Sequence, residues 1–448
     1  MSDYDAIVLG TGTAGEGVAW ALHEAGMSVA VIERELVGGL CAYWGCMPSK
    51  TLLRPGDVVW QAEHGVGTSR PLVDWSEVAP YRNYMVRDWN DSKQVEGLQQ
   101  AGITFRRGEA RIVDHGQVQV GGEMLTGRRL IVSTGSENSV PPIEGLQEAG
   151  YWTNREATSF TEVPKSVLVI GGGAIGSELG QALRHYGADV TIVEEADHLL
   201  GRESADAARY LQAQFEADGI ALHLGRRVTK VERTDTGRTA TLDNGTSLSA
   251  EQILVVTGRH PLTENLGLDA IGVRSGKQGI ECDVHCRAAE NVWAAGDVTG
   301  VAMYTHVASY QARIVVADIL GKPRVADYTD IPRVTFTQPE VASVGITDPK
   351  TAPDGMDVVT ARTELSDIAR TETYGRGYTG ALCLLADRHD KVLVGAWAVG
   401  PLAGEWIQWA TLAIRARVPI PTLDDTILAF PTFTEMYTSP LRSLMQSL

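Results

Sequence analysis

The sequence predicts an α/β protein made of two Rossmann-like dinucleotide-binding domains and a third domain of α+β type. Three observations support this fold class. A glycine-rich strand–turn–helix pattern near the N-terminus is repeated about 160 residues later. Each copy is followed by a β-rich segment that ends in Thr-Gly. In the last part of the chain, from residue 331, strand-like runs alternate with helical stretches without a glycine box.

Length and composition restrict the function. The chain has 448 residues, 44% of them hydrophobic and 21% charged, as expected for a globular protein of several domains. A formal net charge of −17 argues against nucleic acid and acidic membrane surfaces as partners. No apolar run reaches the roughly 18 residues of a membrane-spanning helix. Five cysteines are few for this length and predict a reducing, cytoplasmic location.

The first glycine pattern is a complete dinucleotide fingerprint. A buried strand at 5–9 leads into a Gly-x-Gly-x-x-Gly turn and a helix, and the next strand ends on Glu33. Gly10 would form the tight turn, Gly12 would let the backbone approach a pyrophosphate, and Gly15 would permit close helix–strand packing. The N-terminus of the helix attracts phosphate, and Glu33 would bind ribose hydroxyl groups.

The second pattern repeats this arrangement. A strand at 166–170 precedes a second glycine box at 171–176 and a helix, and the following strand ends on Glu194 and Glu195. Such an internal duplication predicts two dinucleotide sites. Two sites beside a cysteine pair indicate electron transfer between cofactors.

That pair is Cys41 and Cys46, in the stretch 38–50. On an ideal helix, residues five apart are separated by about 7.5 Å along the axis. A disulfide needs Cα atoms roughly 4.4–6.8 Å apart. Cys41 must therefore lie outside a helix that begins near Cys46, or the helix must distort. Two buried thiols are the alternative, but in a reducing compartment a close pair indicates catalysis or metal binding.

These motifs, in this order, resemble those of the flavoprotein disulfide reductases, the family that includes dihydrolipoamide dehydrogenase, glutathione reductase and mercuric reductase. Besides the glycine boxes, the resemblance rests on Cys41-x4-Cys46-x-Pro48-Ser49-Lys50, Thr134-Gly135-Ser136, Ala295-Gly296-Asp297, Gln338-Pro339-Glu340 and Pro431-Thr432-x-x-Glu435. It covers essentially the whole chain. It implies a discontinuous FAD-binding domain at 1–145 and 260–330, an NAD(P)-binding domain at 146–259 and a homodimerisation domain at 331–448.

The resemblance implies FAD in the first site and a nicotinamide nucleotide in the second. The expected FAD ligands are Gly10, Gly12, Thr13, Ala14, Gly15, Glu33, Gly39, Lys50, Thr134, Gly135 and Asp297. The expected nicotinamide nucleotide ligands are Gly171, Gly173, Ile175, Gly176, Glu194 and Gly258. NADH is the expected reductant, because Glu194 and Glu195 would repel a 2′-phosphate and the next arginine in the sequence is Arg202.

The resemblance also implies catalytic roles for five residues: Cys41, Cys46, Lys50, Glu178 and Glu435. Electrons would pass from the nicotinamide through FAD to a Cys41–Cys46 disulfide. Cys46, at a helix start that lowers a thiol pKa, would face the flavin, and Cys41 would attack the substrate. Lys50 would reach the flavin with Glu178 as its partner, an ordinary surface ion pair being the alternative.

Two features depart from the dithiol-specific branches of this family. Their proton-shuttling histidine, which a glutamate at the position of Glu435 holds, is Phe430 here, and phenylalanine cannot accept a proton. Since general acid–base catalysis contributes about 10²–10⁴-fold, efficient turnover of lipoamide or glutathione disulfide is not expected. Tyr43 replaces an asparagine and Trp44 follows it. Tyr43, Trp44 and Phe430 are therefore predicted to line an altered apolar substrate pocket, packing against the flavin domain being the alternative.

The resulting hypothesis is a homodimeric, NADH-dependent FAD enzyme that reduces a small disulfide or related sulfur compound with an acidic leaving thiol. One alternative passes electrons from the flavin directly to a quinone, dye or metal ion, and another is a dihydrolipoamide dehydrogenase subunit. No resident metal is predicted, because Cys282, His285 and Cys286 lie in too short a span to surround one zinc ion.

Overall fold

The computed structural model describes residues 3–448. These form two compact units. Unit 1 comprises the described residues up to Pro48 together with Pro80–Ser139 and Gly258–Asp327, and unit 2 comprises Ser49–Ala79, Val140–Thr257 and Tyr328–Leu448. The second nucleotide-binding pattern and the C-terminal region share unit 2, so the three-domain boundaries remain a prediction.

The helices of the described residues are, in chain order, α1 (Thr13–Glu24), α2 (Gly39–Tyr43), α3 (Cys46–His64), α4 (Trp75–Met85), α5 (Ser92–Ala101), α6 (Leu146–Ala149), α7 (Asn154–Ser159), α8 (Ala174–His185), α9 (Ala205–Ala217), α10 (Thr305–Ile319), α11 (Ala369–Tyr374), α12 (Ala403–Arg415), α13 (Ile420–Asp424) and α14 (Thr438–Ser447). Within this part of the chain, no helix is long and apolar enough to cross a membrane.

The strands are, in the same order, β1 (Ala6–Leu9), β2 (Val29–Glu33), β3 (Thr104–Arg107), β4 (Ala110–Asp114), β5 (Gln117–Val120), β6 (Glu123–Thr126), β7 (Leu130–Val132), β8 (Ser136–Asn138), β9 (Ser166–Ile170), β10 (Asp189–Glu194), β11 (Ala221–Leu224), β12 (Val228–Thr234), β13 (Gly237–Leu242), β14 (Ser247–Ala250), β15 (Gln252–Val255), β16 (Arg259–Pro261), β17 (Ser275–Gly276), β18 (Gly279–Ile280), β19 (Arg287–Ala289), β20 (Val292–Ala294), β21 (Pro332–Thr335), β22 (Glu340–Gly345), β23 (Val358–Glu364), β24 (Ala381–Asp387) and β25 (Val392–Gly400).

Unit 1 is built on a six-stranded sheet in the order β19-β20-β7-β1-β2-β3. All neighbours pair in parallel except β19, which is antiparallel to β20. Ala6 and Val8 of β1 pack in the same cluster as residues of α1 and α10, whereas Ile7 and Leu9 pack with the three-stranded sheet β4-β5-β6. Successive side chains of a strand point to opposite faces, so a strand covered on both sides requires an unbroken apolar run.

Unit 2 repeats this layering. Its parallel sheet has the order β11-β10-β9-β15. Val167 and Val169 of β9 pack with Leu179 of α8, and Leu168 packs with Val231 of the antiparallel sheet β12-β13-β14. The internal duplication predicted from the sequence is therefore present in the architecture, and the predicted α/β fold class is confirmed.

The C-terminal part of unit 2 is a five-stranded antiparallel sheet in the order β21-β22-β25-β24-β23. Strand β24 is buried along its whole length. Leu382 and Leu384 face a cluster that contains Trp406 and Ile407 of α12, whereas the alternate residue Cys383 packs in the cluster of the second nucleotide-binding pattern. Cys383 is thus a core side chain.

Glu340 at the start of β22 accepts a hydrogen bond from Gly404 N in the first turn of α12 (2.9 Å). Burial raises the pKa of Glu340 to about 7, the backbone bond opposes this shift, and the negative charges of Asp57, Glu405 and Glu178 add to it. Because this carboxyl pKa is higher in the folded than in the unfolded chain, its contribution to stability is present at low pH and is lost as the pH rises through about 7.

Glu340→Gln is therefore expected to raise the unfolding temperature clearly at pH 8 and much less at pH 5. The rise of the pKa from 4.5 to about 7 corresponds to at most about 3 kcal/mol at the higher pH. Thermal unfolding followed by circular dichroism at both pH values measures this difference, and Glu162→Gln, which changes an exposed carboxylate that does not act on Glu340, supplies the control. Equal stabilisation at the two pH values would rule out ionisation of Glu340 as the cause.

Candidate functional site

The first glycine box forms the turn between β1 and α1. Gly10 has a φ of 91°, and a Cβ added to Gly15 would lie 1.9 Å from the carbonyl oxygen of Gly10. Gly12 precedes α1, and a Cβ there would meet no protein atom within 4 Å. Thr13 and Ala14 form the first turn of the helix. The Gly12 backbone thus borders open space at a helix N-terminus, which fits the approach of a pyrophosphate.

The carboxylate of Glu33 lies against this glycine box. Its Oε2 accepts hydrogen bonds from the backbone N–H and the hydroxyl of Thr11, both at 2.8 Å, and its Oε1 accepts one from Glu35 N at 2.8 Å. Since an ionised carboxylate offers about four acceptor positions, Glu33 retains capacity for a ribose hydroxyl group.

The second glycine box has the same construction in unit 2. Gly171 has a φ of 110°, and a Cβ on Gly176 would lie 1.9 Å from Gly171 O. Gly173 precedes α8 and borders open space, as Gly12 does. Ile175 is in the first turn of α8, and Gly258, with a φ of 142°, follows β15 after two further residues.

Glu194 reproduces the bonding of Glu33. Its Oε2 accepts a hydrogen bond from Gly172 N at 2.5 Å, and its Oε1 accepts one from Ala196 N at 2.8 Å. In both copies the first donor lies 22 residues before the glutamate. Both boxes therefore fit a dinucleotide, by similar donor and acceptor chemistry.

Arginines lie nearer to the end of β10 than the sequence indicates. Arg226 N donates to Glu194 O (3.0 Å), and Arg227 Nη1 lies 4.0 Å from Glu195 Oε1. Both arginines follow β11, the strand that pairs with β10, so the parallel sheet brings them to this edge. Arg202 is the next arginine along the chain, but Arg226 and Arg227 also lie at this edge of the sheet.

Asp297 follows β20 in unit 1, close to the chain segment that contains Thr134 and Gly135. Its Oδ2 accepts a hydrogen bond from the Ser136 hydroxyl (2.5 Å), and Arg259 Nε donates to the same hydroxyl oxygen (2.9 Å). Burial raises the pKa of Asp297, and the bond from Ser136 and the positive charge of Arg259 oppose this shift. Thr134 donates its hydroxyl proton to Leu262 O, and Gly135 adopts a φ of 80°.

The two cysteines of the pair lie on either side of the break between two helices. Cys41 lies in the short helix α2, and Cys46 is the first residue of α3, so Cys41 lies off the longer helix as predicted. A Cβ on Gly39 of α2 would lie 2.7 Å from Gly12 Cα, which packs the cysteine segment directly onto the first glycine box. Cys46 Sγ lies 3.3 Å from the Thr305 hydroxyl at the start of α10.

The surroundings of Cys41 raise the pKa of its thiol. The pKa of Cys41 is raised first by its hydrogen bond to Cys46, then by burial and by the negative charge on Cys46, while Thr305 opposes the shift. The Cys41 thiol therefore holds its proton more tightly than a free thiol does.

Lys50 and Glu178 form an ion pair in unit 2. Lys50 Nζ lies 2.6 Å from Glu178 Oε2, and Glu178 Oε1 accepts a hydrogen bond from Phe336 N (2.9 Å). Lys50 Nζ also lies 4.7 Å from the centroid of the Phe336 ring. The Glu178 side chain is only 6% exposed and that of Lys50 is 37% exposed. The pair is thus partly buried and held by a third residue, unlike a freely solvated surface pair.

Tyr43 and Trp44 have different surroundings. Tyr43 is 0% exposed, donates its hydroxyl proton to Val37 O (3.1 Å) and accepts a bond from Arg87 Nη1 (3.5 Å). Trp44 ends α2 with its ring 5.7 Å from that of Tyr43, and it is half-buried. The full burial of Tyr43 supports the packing alternative over a pocket-lining role for this side chain.

The turn that presents Arg87 has an unusual backbone. Arg87, Asp88 and Trp89 have φ values of 55°, 49° and 52°. Left-handed backbone costs a non-glycine residue on the order of 1–2 kcal/mol, so three in succession persist only where the surroundings fix them. Asp91 supplies such a link, because it accepts hydrogen bonds from Val37 N (2.7 Å) and from Arg107 (2.5 Å). No sequence signal distinguishes this turn from an ordinary loop.

Phe430 and Glu435 lie in the C-terminal part of unit 2. Phe430 is 75% exposed. Glu435 Oε2 accepts a hydrogen bond from Thr432 N (3.0 Å), so this carboxylate caps a helical turn. Together they line a cavity of about 260 Å³ with Arg442 and Asp424.

In the segment that contains Cys282, His285 and Cys286, two of the three side chains contact backbone carbonyl oxygens. His285 Nδ1 lies 3.1 Å from Arg324 O, and Cys282 Sγ lies 3.6 Å from Ile280 O. Among residues 3–448, no group of three or more His, Cys, Asp or Glu side chains is arranged to hold a metal ion.

Comparison with known proteins gives a family for both parts of the chain. The model described as pyridine nucleotide-disulphide oxidoreductase matches residues 4–312, and the model for the dimerisation domain of the same family matches residues 331–440. A mercuric reductase from Staphylococcus aureus is 33% identical, covering 97% of this chain and 81% of the relative. A dihydrolipoyl dehydrogenase from Halobacterium salinarum is also 33% identical, covering 96% and 94%.

Solved structures show the same similarity. The Cu(II) complex of the HOCl-induced flavoprotein disulfide reductase RclA from Escherichia coli has a TM-score of 0.87 and 25% identity, covering 100% of both chains. LpdA from Mycobacterium tuberculosis has a TM-score of 0.86 and 25% identity, covering 98% of this chain and 99% of that one.

Gly12→Ala and Gly15→Ala are expected to impair different properties of the protein, FAD affinity in the first variant and folding in the second. The Gly15 Cβ would collide with Gly10 O, so Gly15→Ala should lower the stability of the apoprotein by about 3 kcal/mol or prevent folding. The Gly12 Cβ meets only open space, so Gly12→Ala should fold normally and bind FAD at least about tenfold more weakly, since a methyl group blocks the phosphate.

Thermal unfolding of the apoproteins and titration with FAD separate the two effects. Gly173→Ala is the matched control, because it changes the corresponding position of the second box and should leave FAD affinity intact. If Gly12→Ala did not fold, this would contradict the open space beside Gly12.

Proposed function

Because the chain belongs to the pyridine nucleotide-disulphide oxidoreductase family, whose members are FAD-dependent enzymes, we propose that it uses NADH to reduce a small disulfide or related sulfur compound through Cys41 and Cys46. The observation that carries this proposal is the hydrogen-bonded thiol pair across the α2–α3 break, packed on the first glycine box. The matched dimerisation domain supports a homodimer.

The protein residues have separate tasks in this reaction. Bound FAD supplies the two-electron step between the nicotinamide and sulfur. Cys46, at the start of α3, is held by the Thr305 hydroxyl and is stabilised as a thiolate by the helix N-terminus. Lys50, one helical turn later and paired with Glu178, places a positive charge on the same helix.

Cys41 is the attacking thiol in the proposal. After losing its proton, its sulfur attacks one sulfur of the substrate disulfide and releases the first substrate thiolate. Cys46 then attacks the Cys41 sulfur, which releases the second thiolate and forms the Cys41–Cys46 disulfide. Two electrons thus leave the cysteines and reduce the substrate, and two electrons from NADH restore the dithiol.

In this proposal, Phe430 restricts the substrates that the reaction steps above can reduce. It offers no base for the Cys41 proton and no acid for the departing thiolate. A substrate whose leaving thiol has a low pKa departs without protonation, so the proposal is restricted to such disulfides.

A second candidate is reduction of a metal ion or a quinone. Phe430 favours it, because electron transfer to such an acceptor does not require protonation of a leaving thiolate. The similarity to a mercuric reductase and to the Cu(II) complex of RclA supports testing metal ions as acceptors.

Cys46→Ser separates the two candidates. If the dithiol carries the electrons, the variant should lose at least about 99% of its NADH-dependent disulfide reduction, because a serine oxygen can neither form nor resolve the mixed disulfide. The assay compares a disulfide with an acidic thiol, such as 5,5′-dithiobis(2-nitrobenzoate), with a quinone and with Cu(II) and Hg(II). Cys383→Ser, which changes a core cysteine, is the matched control.

Undiminished disulfide turnover in Cys46→Ser would overturn the dithiol route. Loss of disulfide turnover with retained quinone or metal turnover would assign those acceptors to the flavin.

NADH is the proposed reductant. The bond from Gly172 N to Glu194 supports this choice, because it holds the carboxylate at the glycine box, and the side chain of Arg227 is paired with Glu195. We expect kcat/KM for NADH to exceed that for NADPH by at least about tenfold, since a 2′-phosphate would lie beside a carboxylate.

Steady-state kinetics with both reductants test this preference. Glu194→Ala should lower the ratio of kcat/KM for NADH to kcat/KM for NADPH more than Glu195→Ala does, because the Glu195 carboxylate is exposed. A preference for NADPH in the unaltered protein would refute the proposal and would point to Arg226 and Arg227 as phosphate ligands.

A further inference from the structure

A cavity of about 300 Å³ lies between α1 and α10 in unit 1. Its lining combines small and apolar side chains, such as Ala21, Val316 and Leu320, with three cationic ones. The cations are Arg313 on α10 and Lys322 and Arg324 on the segment after that helix. None of the lining residues is acidic, although the chain as a whole has a net charge of −17.

The cationic side is formed by a fixed backbone. Lys322 N donates to Ala317 O (2.7 Å), which closes the C-terminal turn of α10, and the carbonyl oxygen of Arg324 lies 3.1 Å from His285 Nδ1. Across residues 3–448, no carboxylate lies within the 4.0 Å of an ion pair from Arg313, Lys322 or Arg324. Three like charges held around one cavity repel one another, and a bound anion relieves this repulsion.

We propose that this cavity binds a small organic anion. The phosphate or carboxylate groups of the ligand lie against Arg313, Lys322 and Arg324, and its carbon skeleton lies over Ala21 and Val316. The volume is at the lower limit for ligand pockets, which excludes a complete dinucleotide and suits a compound of about ten non-hydrogen atoms.

The cavity is distinct from the cysteine pair. Arg313 lies eight residues after Thr305 on α10, or about 12 Å along the helix axis, and it is Thr305 that contacts Cys46. The proposed occupant is therefore bound by cations remote from the cysteine pair, and it is not the electron acceptor. The inference does not depend on which acceptor the enzyme reduces.

Isothermal titration of the FAD-loaded protein with 3-phosphoglycerate tests the proposal. Sodium chloride at matched ionic strength and glycerol are the blank titrants, because they supply the charge screening and the neutral skeleton separately. We expect saturable binding of 3-phosphoglycerate, retained in Cys41→Ser, and weakened at least tenfold in the double variant R313Q/R324Q. R274Q/K277Q, which removes two exposed cations elsewhere in unit 1, should bind like the parent protein.

Ala21→Phe tests the apolar side without changing a charge. Its ring would fill the space over Val316, so binding should again weaken at least tenfold while FAD content and circular dichroism stay unchanged. Absence of saturable binding by the parent, or parent-like binding by both R313Q/R324Q and Ala21→Phe, would overturn the proposal. Binding lost in R274Q/K277Q as well would show a non-specific charge effect and would also overturn it.

Discussion

The structure depends on two strand-to-helix turns in which the last glycine of the glycine box has no room for a Cβ atom. At Gly15 and at Gly176 that atom would lie 1.9 Å from the carbonyl oxygen of the first glycine of the box. Only glycine permits this approach, and the approach aims the N-termini of α1 and α8 at the open space beside Gly12 and Gly173. The glutamates, the cysteine segment and the layers of both units are arranged around these turns.

The starts of helices also organise the chemistry of unit 1. Gly39 packs on Gly12, Cys46 begins α3, and Thr305, which contacts the Cys46 sulfur, begins α10. Each helix start carries a partial positive charge, which favours phosphates and thiolates over neutral groups. The pKa of Cys41, the other cysteine of the pair, is raised by its hydrogen bond to Cys46 and by burial.

Periodic and local features of the sequence predicted much of the fold. The strand predicted at 166–170 is Ser166–Ile170, and a helix begins at Cys46. Polar contacts between distant segments could not be predicted in this way, because they have no periodicity. Thr305 near Cys46, Phe336 N on Glu178 and Arg226 beside Glu194 are of this kind. The burial of Tyr43 also required the fold, since an aromatic side chain suits either a pocket or a core.

The sequence by itself determined the two glycine boxes, the terminal glutamates and the position of the cysteine pair, because each depends on residue type and spacing within one short segment. Only the tertiary structure decided which residues complete these sites. It gave Glu33 and Glu194 corresponding pairs of backbone donors, placed Arg226 at the edge of the second box, and gathered Arg313, Lys322 and Arg324 around one cavity. The physical reason is that sheet pairing and helix packing bring together residues whose distance along the chain carries no information about their distance in space.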